Sequence, residues 1–183
     1  PRVLFWIAPA VAKAAMDTGV ARKELDPATY RDHLKTIFNP SRHVFQEIAE
    51  IARSKFPRIV FPEGEHPKIQ EAAVILSRRH LAHPILLGNE DKLIKELHKQ
   101  GLRNGDFSVI DPEKSHDFEK FCQNFTLSRE SKGMTLEKAK ELFKNCPTYY
   151  GSMMVQEGKA DTLLSGMNST YPEAIRPALQ IID

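Results

Sequence analysis

The sequence lacks the patterns that mark several specialised protein classes. Its two cysteines, Cys122 and Cys146, show neither C-x-x-C spacing nor a neighbouring histidine cluster, so we interpret them as reduced structural thiols of a cytosolic protein. A formal net charge of +2 is too small to indicate a nucleic-acid partner. The early apolar stretch at 3–11 is broken by Pro9 and is far short of the roughly 20 residues of a membrane span. These absences argue against nucleic-acid-binding and membrane proteins.

What remains is a composition typical of a soluble globular protein, with 41% hydrophobic and 27% charged residues. The sequence starts at Pro1 rather than at a methionine. It ends at Asp183, inside a predicted helix that starts at Pro172 and has no glycine to stop it. We therefore expect this sequence to be part of a longer gene product.

Residues 1–40 have a helical pattern. The segment 8–18 is rich in alanine, the best helix former, and Gly19 follows it where a helix-ending glycine belongs. Asp26 and Pro27 are typical of a helix start, which predicts a second helix through Phe38. A third helix over 41–57 would then connect this region to the rest of the chain.

After Pro57 the pattern changes to alternating strands and helices. Short apolar runs predict strands near 58–62, 84–88, 107–110 and 162–166. This alternation indicates an α/β fold with a mainly parallel sheet and flanking helices, joined by right-handed crossovers. The helical segment at 1–40 would precede that fold and lie outside the sheet.

Two loops follow predicted strands at the edge where open α/β sheets bind ligands. The later of these loops, at 165–170, offers polar side chains and a flexible glycine to a phosphate or carbonyl oxygen. The helix that follows it adds free N–H groups. The candidate residues are Ser165, Gly166, Asn168, Ser169 and Thr170. The alternative is that Ser169 or Thr170 only caps the helix, and spacing alone favours that alternative.

The earlier loop contains Glu63, Glu65 and His66, which are compatible with a metal site or an acid–base pair. The sequence shows no second group of ligand residues with the spacing typical of a metal site. We therefore interpret the loop as solvated and predict no metal site. Arg129 and Arg176 are candidates for an anionic ligand, although an isolated arginine is ordinarily a surface residue.

The segment from residue 57 onward resembles the N-terminal half of the phosphate acetyltransferase/butyryltransferase family. The resembling stretches are RIVFPEGEHPKIQEAA (58–73), PILLG (84–88), SRESKGMTLEKAKEL (128–142) and YYGSMMVQEGKADTLLSGMNSTYPEAIRPALQII (149–182). Residues 1–26 resemble the C-terminal end of bacterial malic enzyme domains. The two families occur fused in this order in the large hybrid malic enzymes, which convert malate to pyruvate and CO2, usually with NADP.

The resemblance implies a domain division and a set of ligand contacts. Residues 1–40 would be the tail of a malic domain, 41–57 a connecting helix, and 58–183 the N-terminal part of a phosphotransacetylase-like domain. Arg129 and Arg176 match family arginines implicated in holding coenzyme A, a task that suits a guanidinium because it stays charged and binds phosphate bidentately. The loop containing Ser165 and Gly166 would line the acyl-CoA cleft.

The sequence departs from the family at 170–173, where it reads Thr-Tyr-Pro-Glu and active phosphotransacetylases usually carry a Thr-Ala-Asp type sequence. A tyrosine there is more typical of the hybrid enzymes, whose appended domain resembles an inactive acyltransferase that senses acetyl-CoA. The family's catalytic residues lie in the second half of the domain, so we assign no catalytic residue here.

Three functions follow for the domain. The first is a regulatory module that binds acetyl-CoA and adjusts malate oxidation; the second is an active phosphate acetyltransferase; the third is oligomerisation alone. NADP and a divalent metal are expected in the malic domain outside this sequence. We further expect a cytoplasmic homo-oligomer.

Overall fold

The structure is a computed structural model that describes residues 3–38 and 40–182. They form nine α-helices, one 3-10 turn and four β-strands. The helices are α1 (Leu4–Asp17), α2 (Pro27–Phe38), α3 (Pro40–Lys55), α4 (Pro67–Arg78), α5 (Glu90–Lys99), α6 (Phe118–Arg129), α7 (Leu136–Asn145), α8 (Pro147–Gln156) and α9 (Tyr171–Ile181). The strands are β1 (Arg58–Phe61), β2 (His83–Leu87), β3 (Ser108–Ile110) and β4 (Thr162–Leu163). Within the described part of the chain, every helix is too short or too polar to cross a membrane.

The chain divides into two compact units between residues 51 and 52, within α3. In the first unit, the Arg31 guanidinium lies 4.7 Å from the centre of the Trp6 ring, in cation–π contact. The predicted start of α2 is confirmed, because the main-chain N–H and the hydroxyl of Thr29 both donate to the Asp26 carboxylate, at 2.9 and 2.6 Å.

The first helix extends four residues N-terminal to the alanine-rich segment 8–18 that indicated it. α1 begins at Leu4 and contains Pro9. The first turn of the helix forms before the chain reaches Pro9: the carbonyl of Val3 accepts hydrogen bonds from the N–H groups of Trp6 and Ile7, at 3.1 and 2.9 Å. The proline therefore costs one helical hydrogen bond but does not stop the helix.

The second unit contains a four-stranded, fully parallel sheet in the order β3-β2-β1-β4. The predicted parallel α/β fold with flanking helices is confirmed. β1 and β2 are aligned from Arg58 opposite His83 to Phe61 opposite Leu86. The predicted fourth strand is shorter than expected, because only two of its residues pair with β1.

Alternate residues of the central strands face opposite layers of helices, as the pleat requires. Phe61 and Leu86 pack against residues of α4 and α5. Val60 and Leu87 pack into the other layer, formed by residues of α6, α7, α8 and α9. An aromatic cluster fills that second layer, and its rings belong to Phe118, Phe121, Phe125, Phe143, Tyr149 and Tyr150.

Helix α6 was not predicted from the sequence, although it supplies much of this second layer. Phe118, Phe121, Cys122 and Phe125 are buried along one face of the helix. Both α5 and α7 begin with a side-chain cap: Asn89 accepts a hydrogen bond from the first turn of α5, and Thr135 does so for α7.

Candidate functional site

The order of the strands places a switch point between β1 and β4. β2 and β3 extend the sheet on one side of β1, and the chain then returns to add β4 on the other side. In open α/β sheets the carboxyl ends of strands at such a point form a crevice that binds ligands. The two loops singled out in the sequence, 62–66 after β1 and 164–170 after β4, both begin at this edge.

Glu63 joins these two loops through a dense set of hydrogen bonds. One carboxylate oxygen accepts from the N–H groups of Gly166 and Met167, both at 3.0 Å. The other oxygen accepts from the N–H groups of Asn168 and Ser169, at 2.7 and 3.2 Å, and from the Ser169 hydroxyl at 3.1 Å. We call the Glu63 carboxylate and the N–H groups of 166–169 the Glu63 clamp.

The clamp holds its carboxylate in the ionised form. Partial burial by itself would raise the pKa of Glu63, but the hydrogen bonds from the N–H groups of Asn168, Met167 and Gly166 outweigh it. The pKa of Glu63 therefore lies below its usual value. The interpretation of this loop as solvated is wrong for Glu63, whose partners are more than 100 residues away in the sequence.

The rest of the first loop is also fixed. A methyl group added at Gly64 would lie 2.6 Å from the carbonyl oxygen of Leu87, so only glycine lets the loop approach the end of β2. The buried side chain of Gln70 donates to the carbonyls of Gly64 and Glu65, at 3.4 and 3.2 Å. The Glu65 carboxylate accepts from Lys92 Nζ at 2.6 Å, in addition to the N–H of Asn89 at 3.1 Å.

A cleft of about 490 Å³ opens beside the clamp, at the carboxyl ends of β1 and β2. This volume lies within the range of small-molecule sites. Three carboxylates line it, from Glu63, Glu65 and Glu173, and none of its lining residues is lysine or arginine. The other lining residues are Pro62, His66, Leu87, Gly88, Asn145, Cys146, Pro147, Thr148, Asn168 and Ser169. The cleft therefore favours an uncharged or cationic group over a phosphate.

The predicted loop residues are together, but most of their polar groups already have partners. Asn168 and Ser169 line the cleft, whereas Ser165, Gly166 and Thr170 do not. The Ser165 hydroxyl lies 3.4 Å from that of Thr148. The N–H and the hydroxyl of Thr170 donate to Glu173 in the first turn of α9, at 2.9 and 2.7 Å, so Thr170 has the capping role that spacing favoured.

Of the two predicted arginines, Arg129 lies away from this loop. Arg129 donates from Nε and Nη2 to the carbonyl of Gln180, at 3.1 and 2.8 Å, near the end of α9. Thr170 and Gln180 are ten residues apart, roughly 15 Å along a helix. Arg176 is exposed and makes no hydrogen bond or ion pair within residues 3–38 and 40–182.

Both arginines are nevertheless close to one tyrosine. Burial raises the pKa of Tyr149, and the positive charges of Arg176 and Arg129 oppose that rise. The Tyr149 hydroxyl donates to the side chain of Gln180 at 2.9 Å. Arg176 is therefore the candidate with an uncommitted charge, while Arg129 has a structural partner. The role of both in coenzyme A binding stays a prediction.

Sequence reasoning found the second loop but missed its partner. The position of Glu63 directly after a strand was a usable signal, because the carboxyl ends of parallel strands share one edge of the sheet. Within the described ranges, no three His, Cys, Asp or Glu side chains are grouped so that they could hold a metal ion.

The amino-acid sequence of this chain is similar to those of phosphate acetyltransferases and of malic enzymes. A family model for phosphate acetyl/butaryl transferase matches residues 43–183. A phosphate acetyltransferase from Thermoanaerobacterium thermosaccharolyticum is 42% identical over 139 residues, which cover 76% of this chain and 42% of that protein. An NADP-dependent malic enzyme from Escherichia coli is 33% identical over 177 residues, which cover 94% of this chain and 23% of that enzyme.

The fold has a similar counterpart among solved structures. A phosphotransacetylase from Streptococcus pyogenes matches with a TM-score of 0.71 at 35% sequence identity, over 77% of this chain and 42% of that one. The chain thus spans less than half the length of each of these three proteins.

Proposed function

The chain belongs to the phosphate acetyl/butaryl transferase family, and we propose that it is the acyltransferase-like domain of a cytoplasmic malic enzyme. In this proposal the domain binds acetyl-CoA as an effector of malate oxidation and does not transfer the acetyl group. The conversion of malate to pyruvate and CO2 would take place in a malate-oxidising part of the same polypeptide, outside residues 1–183.

The extent of the malic enzyme similarity carries this proposal. The family model begins at residue 43, and the phosphate acetyltransferase covers 76% of the chain. The malic enzyme covers 94%, so its similarity must include most of residues 1–42. A domain that functioned only as a free phosphotransacetylase would have no need of a segment similar to malic enzymes.

The distribution of charge supports binding of acetyl-CoA rather than transfer to phosphate. Inorganic phosphate would meet Glu63, Glu65 and Glu173 in the cleft, with no lysine or arginine among the lining residues. The exposed guanidinium of Arg176 has no partner in the described part of the chain, so it is free to bind the phosphates of coenzyme A. The Thr-Tyr-Pro-Glu sequence at 170–173 is a further departure from the active enzymes.

We assign NADP and the divalent metal to the malate-oxidising part. The residues described here do not fit such a metal site, because they contain no suitable group of three ligands. Acetyl-CoA would regulate that distant site if it bound one conformational or assembly state of a homo-oligomer more tightly than another, a coupling typically of about 1–3 kcal/mol.

Active phosphate acetyltransfer is the second candidate function. One observation favours it: the identity to the phosphate acetyltransferase, at 42%, is higher than the 33% identity to the malic enzyme. The two functions make opposite predictions for acetyl phosphate, which only the transferase forms from acetyl-CoA and phosphate.

Calorimetric titration of acetyl-CoA into the complete polypeptide tests the proposal. Arg176→Ala should weaken binding roughly ten- to a hundredfold, because a charge-assisted contact is worth about 1.5–3 kcal/mol. Arg79→Ala is the matched control. Arg79 is also exposed, but it lies after the end of α4, on the side of the sheet where β2 begins. It should bind acetyl-CoA like the wild type.

Two results would contradict the proposal. Formation of acetyl phosphate by the wild type at a substantial rate would favour the transferase. Absence of acetyl-CoA binding by the wild type would leave oligomerisation as the role of the domain.

A further inference from the structure

The Glu63 clamp has a chemical feature that the proposed function does not use. Every donor to the Glu63 carboxylate is a neutral main-chain N–H or a hydroxyl, and no lysine or arginine of the described residues contacts it. An ionised carboxylate is purely an acceptor, so it matches a set of donors that all point inward. A side-chain amide in its place would turn one donor toward other donors.

The clamp decides which groups of the second loop remain available to a ligand. The N–H groups of 166–169 are all occupied by Glu63. The hydroxyls of Ser169 and Thr170 donate to Glu63 and Glu173. Asn168 is one of the residues that line the cleft, and its side-chain amide has no hydrogen-bond partner within the described ranges.

We propose that Glu63 is a positioning residue: it holds the 165–170 loop so that the Asn168 amide faces the cleft and donates to an acceptor oxygen of acyl-CoA. This inference rests on the proposed binding of acetyl-CoA. The acidic lining of the cleft disfavours the phosphates, which assigns the uncharged acyl-pantetheine end of the ligand to the place beside Asn168. Arg176 would contact the phosphates from the exposed face of α9.

Hydrogen-exchange mass spectrometry on the complete polypeptide tests the clamp itself. In Glu63→Gln, the amides of 166–169 should exchange at least about tenfold faster than in the wild type, because two or more charge-assisted hydrogen bonds are lost. Glu65→Gln is the matched control. It removes a carboxylate two residues away whose partners are Lys92 and Asn89, so exchange at 166–169 should not change.

Acetyl-CoA titrations on the same proteins test the positioning role. Glu63→Gln and Asn168→Ala should each weaken binding about tenfold, while Asn168→Ala should leave the exchange of 166–169 unchanged. If Glu63→Gln does not fold, Glu63→Asp replaces it. Aspartate keeps the charge but is one methylene shorter, so the same amides should exchange faster to a smaller extent.

The outcomes separate this inference from the proposed function. Unchanged exchange at 166–169 in both Glu63 variants would overturn the clamp. Faster exchange with wild-type affinity for acetyl-CoA would overturn the positioning role. Faster exchange in a protein whose wild type does not bind acetyl-CoA would confirm that Glu63 fixes the loop, and it would refute acetyl-CoA as the ligand.

Discussion

Replacement of Arg129 by alanine is expected to destabilise the domain, even though the sequence suggested a ligand-binding role for this arginine. The guanidinium reaches from the end of α6 to the last turn of α9. It donates to the carbonyl of Gln180 at 3.1 and 2.8 Å, and more weakly to that of Leu179 at 3.4 Å. These carbonyls belong to the helix end, where partners within the helix are missing.

The magnitude follows from those contacts. A hydrogen bond from a charged donor contributes about 1.5–3 kcal/mol, and a cation at a helix C-terminus adds about 0.3–1 kcal/mol. Arg129 is half-buried rather than fully enclosed, so solvent screens part of this energy. We expect Arg129→Ala to lower the free energy of unfolding of this unit by about 2 kcal/mol.

Hydrogen exchange measured peptide by peptide is a suitable assay, because it separates this unit from residues before 52. A loss of about 2 kcal/mol corresponds to roughly thirtyfold faster exchange in α6 and α9. Arg176→Ala is the matched control from α9 itself and should leave exchange unchanged. If Arg129→Ala exchanges like the wild type, the contact with Gln180 contributes nothing to stability and the reasoning is refuted.

Three further predictions concern stability. Ser152 is fully buried and its hydroxyl has no partner among the described residues, so Ser152→Ala should raise the free energy of unfolding by about 1 kcal/mol in urea titrations; a decrease would contradict this. Gly64→Ala should lower it by about 1–3 kcal/mol in the same assay, because the new methyl group meets the backbone of Leu87, and unchanged stability would show that the loop can shift. The side-chain and main-chain hydrogen bonds of Arg58 lower the pKa of Asp161 from 3.8 to about 2, so this pair stabilises the fold above pH 3.8 and loses its effect as the pH falls towards 2. Asp161→Asn should lack that dependence in acid unfolding, and a parallel pH profile in both proteins would argue against it.

Local sequence patterns predicted the sheet because each strand is short, apolar and bounded by turn residues. They did not predict the length of β4, which ends at Leu163: the N–H of Leu164 still donates to the carbonyl of Val60, but the residues after Leu164 form the loop that Glu63 holds. α6 was missed, yet its buried residues at 118, 121, 122 and 125 recur at helical spacing. Polar residues between these positions obscured a pattern that was present.

The candidate site was predictable as a place but not as a set of contacts. The 165–170 loop was identified from its position after a strand and from its polar residues. The partner of its N–H groups is separated from it by more than 100 residues, and only the strand order brings Glu63 beside it. The contact of Arg129 with Gln180 was unpredictable for the same reason, because it depends on how α6 and α9 pack.

The rate of malate oxidation as a function of acetyl-CoA concentration, measured by NADPH formation in the complete polypeptide, tests the central proposal most directly. We predict a saturable change in rate with acetyl-CoA, absent or shifted to at least about tenfold higher concentration in Arg176→Ala and retained in Arg79→Ala. A rate that does not depend on acetyl-CoA in the wild type would contradict the proposal.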